Sequence, residues 1–228
     1  MTANRFLTLL LWLSTAALGI PAVAQAQSAN RSSCGALFDP GRYGPYDFRT
    51  DKAKMPIVLD NHFTPEVESL IRGKTSGTPG GDIDYTLRAI PNHPNALLAM
   101  MRLGEKEKTS QPRGSLYSVE CWFERALRFR PDDNVVRMIY ATFLAKSGRV
   151  PQVLEQLDRV TATAGDNAFS HYNAGLIYAD IKDYDKALVQ AHRALALGFP
   201  RTELADQLKA AGKWAEPSGA APSGVENK

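Results

Sequence analysis

The chain has 228 residues, of which 44% are hydrophobic and 22% charged, and this composition excludes a fibrous or wholly disordered protein. The net charge is +3, and it falls to +2 once residues 1–26 are removed, because Arg5 is the only charged residue among them. A chain so close to neutrality lacks the basic surface that nucleic-acid binding needs, so no nucleic-acid partner is expected.

Residues 1–26 have the three parts of a secretory signal peptide. Arg5 supplies a positive n-region, the apolar segment that follows ends at Pro21, and cleavage is expected after Ala24 or Ala26. The apolar run is shorter than the roughly 20 residues that span a bilayer, so a transmembrane anchor is the weaker interpretation. We expect an exported mature chain with no membrane span, located in a bacterial periplasm, with secretion left open.

The two cysteines, Cys34 and Cys121, both lie in the mature chain. An even number of cysteines in an oxidising compartment favours a disulfide, and two buried unpaired thiols are the alternative. In the chain-entropy model a bridge across a loop of this length is worth about 4 kcal/mol. Lipidation of Cys34 is rejected, because the polar residues 30–33 precede it in place of a short apolar box.

The segment 27–61 has the residues of turns rather than the periodicity of a helix. Glycine and proline interrupt it at 40–41, at 44–45 and at Pro56. It is nevertheless too apolar for a solvated linker, because it contains Phe38, Tyr43, Tyr46, Phe48, Ile57, Val58 and Leu59. We expect an extended arm that lies on the surface of the following helices.

Helices are expected from Thr64 onward. Thr64 is a candidate N-cap followed by proline, and the helix is expected to run to about Arg72. The range 74–82 contains four glycines or prolines and predicts an exposed loop. Asp82 is then expected to cap a short helix that stops at Pro91.

Residues 134–200 contain two tandem copies of a 34-residue helix–turn–helix unit. The sequence Leu-Arg-x-x-Pro that ends at Pro91 recurs 40 residues later, where it ends at Pro131. An earlier 34-residue unit with about six extra residues explains this spacing, and we expect the extra residues in 105–114. Small or apolar residues recur at one period, as in Ala141 and Gly175, Leu144 and Tyr178, Val153 and Ala187, Leu157 and Ala191, and Val160 and Ala194. Such a period predicts units that pack on their neighbours.

These units resemble the tetratricopeptide repeat family over about residues 94–200. The unit that begins at Ala168 has the small and aromatic residues that the family prefers at Gly175, Tyr178, Ala187 and Ala194, and it departs from the pattern at His171, Ala174 and Ala191. The earliest unit matches at Phe123, Ala126 and Pro131, and the middle unit keeps mostly the apolar pattern.

The resemblance implies an all-α fold, a right-handed α-solenoid of helical hairpins with an irregular N-terminal arm and a C-terminal capping helix. That helix is expected at Thr202–Trp214, with Leu204, Leu208 and Ala211 turned inward. The predicted divisions are a signal peptide at 1–26, the arm at 27–61, the repeat domain at 62–214 and a disordered tail at 215–228.

In this family the first helix of each unit lines a concave groove, and partner-binding residues are carried over on that basis. They are Leu98, Arg102, Met138, Thr142, Phe169, Tyr172 and Leu176, with Val135, Glu105 and Lys146 at further groove positions. The apolar members suit an extended peptide or an amphipathic helix. The alternative is that the chain's own N-terminal arm covers them. Capture of a terminal carboxylate is not expected, because the positions that the family uses for it hold mostly apolar or aromatic residues here, and Asn173 alone would fit.

The sequence gives little sign of catalysis. The four histidines lack metal-ligand spacing, no recognisable nucleophile is present, and no metal or cofactor is expected. We therefore expect a periplasmic interaction module, an adaptor or scaffold whose partner is another envelope protein or peptide, rather than an enzyme. The alternatives are a binding protein for a small apolar ligand or lipid held between arm and groove and, less favoured, an envelope enzyme. Oligomeric state is not predicted.

Overall fold

The computed structural model describes residues 34–38 and 42–217 of the chain; the predicted signal peptide and most of the predicted tail lie outside these ranges. Within them the secondary structure is helical, with no strand, which confirms the all-α class. A single 3-10 turn at Lys52–Lys54 precedes ten α-helices. These are α1 (Pro56–His62), α2 (Pro65–Glu68), α3 (Pro79–Ala89), α4 (Pro94–Glu107), α5 (Val119–Phe129), α6 (Asn134–Lys146), α7 (Val150–Thr163), α8 (Ala168–Asp180), α9 (Tyr184–Ala196) and α10 (Glu203–Ala210).

Local sequence explains where most of the helices begin. Helices α1 to α4 each start with a proline, whose fixed φ and missing N–H suit the first helical position. A side chain at the N-cap accepts a hydrogen bond from a first-turn amide at the start of every helix from α3 to α9 except α7. These caps are Thr78, His93, Ser118, Asp133, Asn167 and Asp183.

Helices α4, α6, α8 and α10 contact one another in that order, and each of the first three also packs against the helix that follows it. One hydrophobic cluster runs from Phe63 to Leu208 through these contacts, and its largest fully buried side chains include Trp122, Tyr178 and Phe123. No helix in the described ranges is both long and apolar enough to cross a bilayer.

The predicted 34-residue period is also present in the polar contacts between helices. In the earlier unit Arg137 contacts Gln156 and the carbonyl of Pro131, and in the later unit His171 contacts Gln190 and the carbonyl of Gly165. Each residue of the second set lies 34 positions after its counterpart in the first. Two different side chains therefore make the same pair of contacts, from the first helix of a unit to its second helix and to the preceding turn.

Several predicted boundaries upstream of α4 need correction. The helix after Thr64 ends at Glu68, not near Arg72, and Leu70 takes the left-handed φ of 57° that stops it. Helix α3 starts at Pro79 with Thr78 as its cap, so Asp82 is not an N-cap but a fully buried residue of the first turn. The predicted loop at 74–82 is accordingly shorter, because its last residues are helical.

Two further predictions are modified at the ends of the domain. Residues 56–61, predicted as extended arm, form helix α1. The last helix is α10 rather than Thr202–Trp214; Leu204 and Leu208 are buried in it as predicted, but Ala211 follows it and is exposed. The extra residues of the earliest unit lie between its two helices as predicted, since residues 108–118 connect α4 to α5 whereas 147–149 connect α6 to α7.

The predicted disulfide is present and ties the arm to α5. Cys34 and Cys121 are bonded, with their Cα atoms 5.2 Å apart. Beside the bridge the guanidinium of Arg125 donates from Nη1 to the carbonyls of Cys34 at 2.7 Å and Ala36 at 2.8 Å. Further along, the amide of Tyr46 donates to the carbonyl of Ala89 at the end of α3. The arm is thus joined to the α3 and α5 side of the domain.

Candidate functional site

The structure leaves part of the predicted groove accessible and buries the rest. Arg102 and Phe169 are exposed, whereas Leu98, Thr142 and Leu176 are half-buried. Met138 and Tyr172 are only 5% and 4% exposed and belong to the hydrophobic core. A partner could contact the first five side chains directly, but not the last two without a rearrangement.

Helices α4 and α6 are joined by an ion pair at the positions expected in the groove. Lys146 Nζ lies 2.7 Å from Glu105 Oε1, and both side chains are about half exposed. Exposed pairs of this kind contribute little to stability, roughly 0–1 kcal/mol. This ion pair shows that the C-terminal ends of α4 and α6 lie side by side on the surface.

The C-terminal segment, rather than the N-terminal arm, covers the α8 end of the predicted groove. The ring of Phe199 lies 4.6 Å from that of Tyr172 and 6.5 Å from that of Phe169, centroid to centroid. The hydroxyl of Tyr172 donates to Glu203 of α10 at 2.8 Å. Burial, followed by this hydrogen bond to a carboxylate, raises the pKa of Tyr172. Tyr172 therefore holds the capping helix in place.

A pocket that no sequence pattern indicated lies between the arm and helices α3 and α5. Its volume is about 360 Å³. Its polar lining consists mainly of three arginines and three tyrosines, Arg42, Arg88, Arg125, Tyr43, Tyr85 and Tyr117. These residues are up to 83 positions apart in the chain, so no local motif could have revealed the pocket.

Two of the pocket arginines are held by their neighbours. Arg88 Nε lies 2.8 Å from Asp84 Oδ2 one helical turn earlier, and its guanidinium lies over the ring of Tyr85. Arg125 is only 2% exposed, and its guanidinium lies 4.7 Å from the ring centre of Tyr117. Both cations are therefore fixed in position by an acidic or aromatic partner.

His62 and Asp82 form a second cluster that the sequence did not reveal. His62 Nδ1 lies 2.8 Å from Asp82 Oδ1, and its ring stacks on Tyr85 with centroids 3.9 Å apart. Asp82 also accepts the backbone amides of Lys74 and Ser76. Burial alone would raise the pKa of Asp82, but these hydrogen bonds outweigh it and the pKa is lowered. The carboxylate thereby organises the loop before α3, which is a structural role.

The predicted absence of a metal site is left open by the structure, although no three potential ligands among His, Cys, Asp and Glu come together in the described ranges. His171, which the sequence placed at a packing position, is 6% exposed and bonded through both ring nitrogens.

Comparison with known proteins yields no match to a family model, a curated protein or a solved structure. The resemblance to tetratricopeptide repeats therefore stays a prediction.

Proposed function

We propose that this chain is an exported α-solenoid of tetratricopeptide-like hairpins that binds another envelope protein or peptide. The row of α4, α6, α8 and α10 and the polar contacts that recur after 34 residues support the repeat architecture. Repeat arrays of this kind offer an extended surface whose curvature follows from the rotation between successive units.

The observation that carries the proposal is a pair of exposed apolar residues at equivalent positions. Val135 and Phe169 are the second residues of α6 and α8, 34 positions apart, and they are 39% and 48% exposed. Apolar side chains in water at matching positions of successive units favour a partner that runs across the units. The half-buried Leu98 and Leu176 extend this surface along α4 and α8.

Charged residues border the apolar ones. Arg102, Glu105 and Lys146 are exposed on α4 and α6, so both signs of charge are present beside the leucines. An amphipathic helix or an extended peptide with apolar anchors and polar flanks fits such a surface. We call the set Leu98, Arg102, Val135, Thr142, Phe169 and Leu176 the repeat surface.

The envelope location is part of the same proposal. The disulfide between Cys34 and Cys121 fits an oxidising compartment, and the predicted signal peptide provides a route of export. A periplasmic adaptor or scaffold combines these properties with the repeat surface.

Photo-crosslinking in the producing bacterium tests the proposal. A photoreactive residue at Phe169 is expected to capture one dominant protein, identified by mass spectrometry. The matched control is the same residue at Val189 of α9, which is 62% exposed and lies outside the repeat surface. Equal capture at both positions, or crosslinks from Phe169 only to Phe199 and its neighbours, would contradict a partner at this surface.

A substitution then tests whether capture depends on apolar contact. Phe169→Glu is expected to abolish capture by a photoreactive residue at Leu98, while Val189→Glu leaves it unchanged. The far-ultraviolet circular dichroism of both variants should match that of the unsubstituted chain, because both side chains are exposed.

A further inference from the structure

We propose that the pocket between the arm and helices α3 and α5 binds a small organic carboxylate with a flat aromatic body. This site is separate from the repeat surface, so its test does not depend on the protein partner. Its proposed ligand also differs in charge and position from the small apolar ligand that the sequence left as an alternative.

The charge of the pocket selects an anion. Three arginines line it, and no acidic side chain is among its described lining residues. Asp84 offsets only part of the charge of Arg88, because the same carboxylate also accepts a hydrogen bond from the amide of Leu116 at 2.7 Å. Arg125 bonds backbone carbonyls and forms no ion pair with a described residue, so the pocket wall carries positive charge.

Two of these guanidinium groups, those of Arg88 and Arg125, retain donors for which the described residues provide no acceptor. Within the described ranges, Arg88 makes its only hydrogen bond through Nε, so its two terminal nitrogens have no protein acceptor. Arg125 bonds the arm through Nη1, and among the described residues its buried Nε has no partner. A carboxylate can accept two parallel bonds from one guanidinium, which suits the terminal nitrogens of Arg88.

The rest of the wall suits a ring. Tyr43 is 46% exposed, and Tyr85 and Tyr117 are half-buried. The rings of Tyr85 and Tyr117 lie against the guanidinium groups of Arg88 and Arg125, and all three tyrosines line the pocket. A volume of about 360 Å³ lies at the small end of the roughly 300–1,000 Å³ typical of ligand sites. It has room for a monocyclic or bicyclic carboxylate rather than a lipid chain.

Isothermal titration calorimetry on the full mature chain tests the proposal. The probes are 4-hydroxyphenylacetate, indole-3-acetate, the uncharged 4-hydroxyphenylacetamide and inorganic phosphate. At least one aromatic carboxylate is expected to bind, with the amide weaker by about tenfold or more, the loss expected for a charge-assisted hydrogen bond.

Two variants locate the binding. Arg88→Gln removes the proposed donor, and Leu116→Glu places a negative charge on a lining side chain that is 58% exposed. Each is expected to weaken carboxylate binding by about tenfold or more. The control is Arg159→Gln, since Arg159 is also paired with an acid four residues earlier but lies on α7. A thermal melt of each variant verifies that the fold is kept.

Any one of four results would overturn the inference. Neither carboxylate binds at millimolar concentration, or the amide binds as well as the acid, or both pocket variants bind like Arg159→Gln. Binding of phosphate as tight as that of either carboxylate would also contradict it, because the aromatic wall would then contribute nothing.

Discussion

At the scale of single residues, buried polar groups decide where the N-terminal arm lies. Asn92 in the turn after α3 donates to Asp47 of the arm at 2.7 Å and to Asp133, the N-cap of α6, at 3.0 Å. Arg49 and Arg130 both lie within ion-pair distance of Asp47. One buried carboxylate thus joins the arm to two turns of the helical domain, and it satisfies the rule that buried charges are paired.

Asp47→Ala is expected to destabilise the protein. It removes the acceptor of Arg49 and of Asn92, and a hydrogen bond to a charged group is worth roughly 1.5–3 kcal/mol. Urea unfolding followed by circular dichroism should show a loss of that order. The control Asp60→Ala changes an exposed carboxylate of α1 and should cost little. Equal losses for the two variants would mean that the network contributes nothing specific.

His93 makes stability depend on pH. Burial lowers the pKa of His93 from 6.5 to about 4. A backbone hydrogen bond opposes this shift, and the positive charge of nearby Lys52 adds to it. Between these two values the unfolded chain binds a proton that the folded chain does not bind. The free energy of unfolding is therefore at its full value above about pH 6.5 and falls as the pH falls towards 4. The loss due to His93 is about 2 kcal/mol at pH 5.

The variant His93→Asn should remove this dependence, because asparagine can replace the ring as the cap of α4 but does not titrate. Unfolding free energies at pH 7.5 and pH 5 measure the difference, with His192→Asn as the control on α9. Asp47 does not confuse the result. Burial would raise its pKa, but its hydrogen bonds with Arg49 and Asn92 hold that pKa well below the ordinary value, so stability is lost there only below about pH 4. An unchanged pH dependence in His93→Asn would contradict the assignment.

At the scale of helices, the close approach of α9 and α10 leaves little room for a side chain at Gly175 of α8. A Cβ at Gly175 would overlap the side chain of Leu204 on α10 and lie 3.3 Å from Gln190 Cβ on α9. The small residue that the sequence placed at this seam is therefore explained by the capping helix as well as by the partner helix within its own unit.

Gly175→Leu is expected to overpack this seam and to destabilise the protein by about 1–3 kcal/mol. Ala162→Leu, on an exposed position of α7, is the matched control and should change stability by less than about 0.5 kcal/mol. Thermal unfolding measures both. A Gly175→Leu protein as stable as the control would show that α10 does not pack where the structure places it.

At the scale of the whole molecule, the disulfide closes a loop that contains the arm and helices α1 to α4. Cys34 and Cys121 are 87 positions apart, so the bond restricts a large part of the unfolded chain. In the folded protein the disulfide holds the arm, which forms one wall of the pocket lined by Arg42, Arg88 and Arg125, next to α5. Stability and the proposed ligand site are thereby coupled.

The double variant Cys34→Ser with Cys121→Ser is expected to lose about 4 kcal/mol by the chain-entropy model. Hydrogen exchange should also rise at Tyr46, whose amide is bonded to Ala89 in the folded protein. The amide of Tyr178 in α8 is the internal reference, since it lies far from the bridge in sequence. Equal increases at both amides would indicate global unfolding rather than release of the arm.

Sequence by itself determined the helical class, the 34-residue period, the disulfide and the starts of α2, α6 and α8, because caps, prolines and apolar spacing act within a few residues of the positions that they define. Only the tertiary structure decided that α2 stops at Glu68 and that Phe199 covers Tyr172. It also decided that Arg88 and Arg125 share one pocket. These features depend on residues that are distant in the chain, and no local pattern encodes which of them meet.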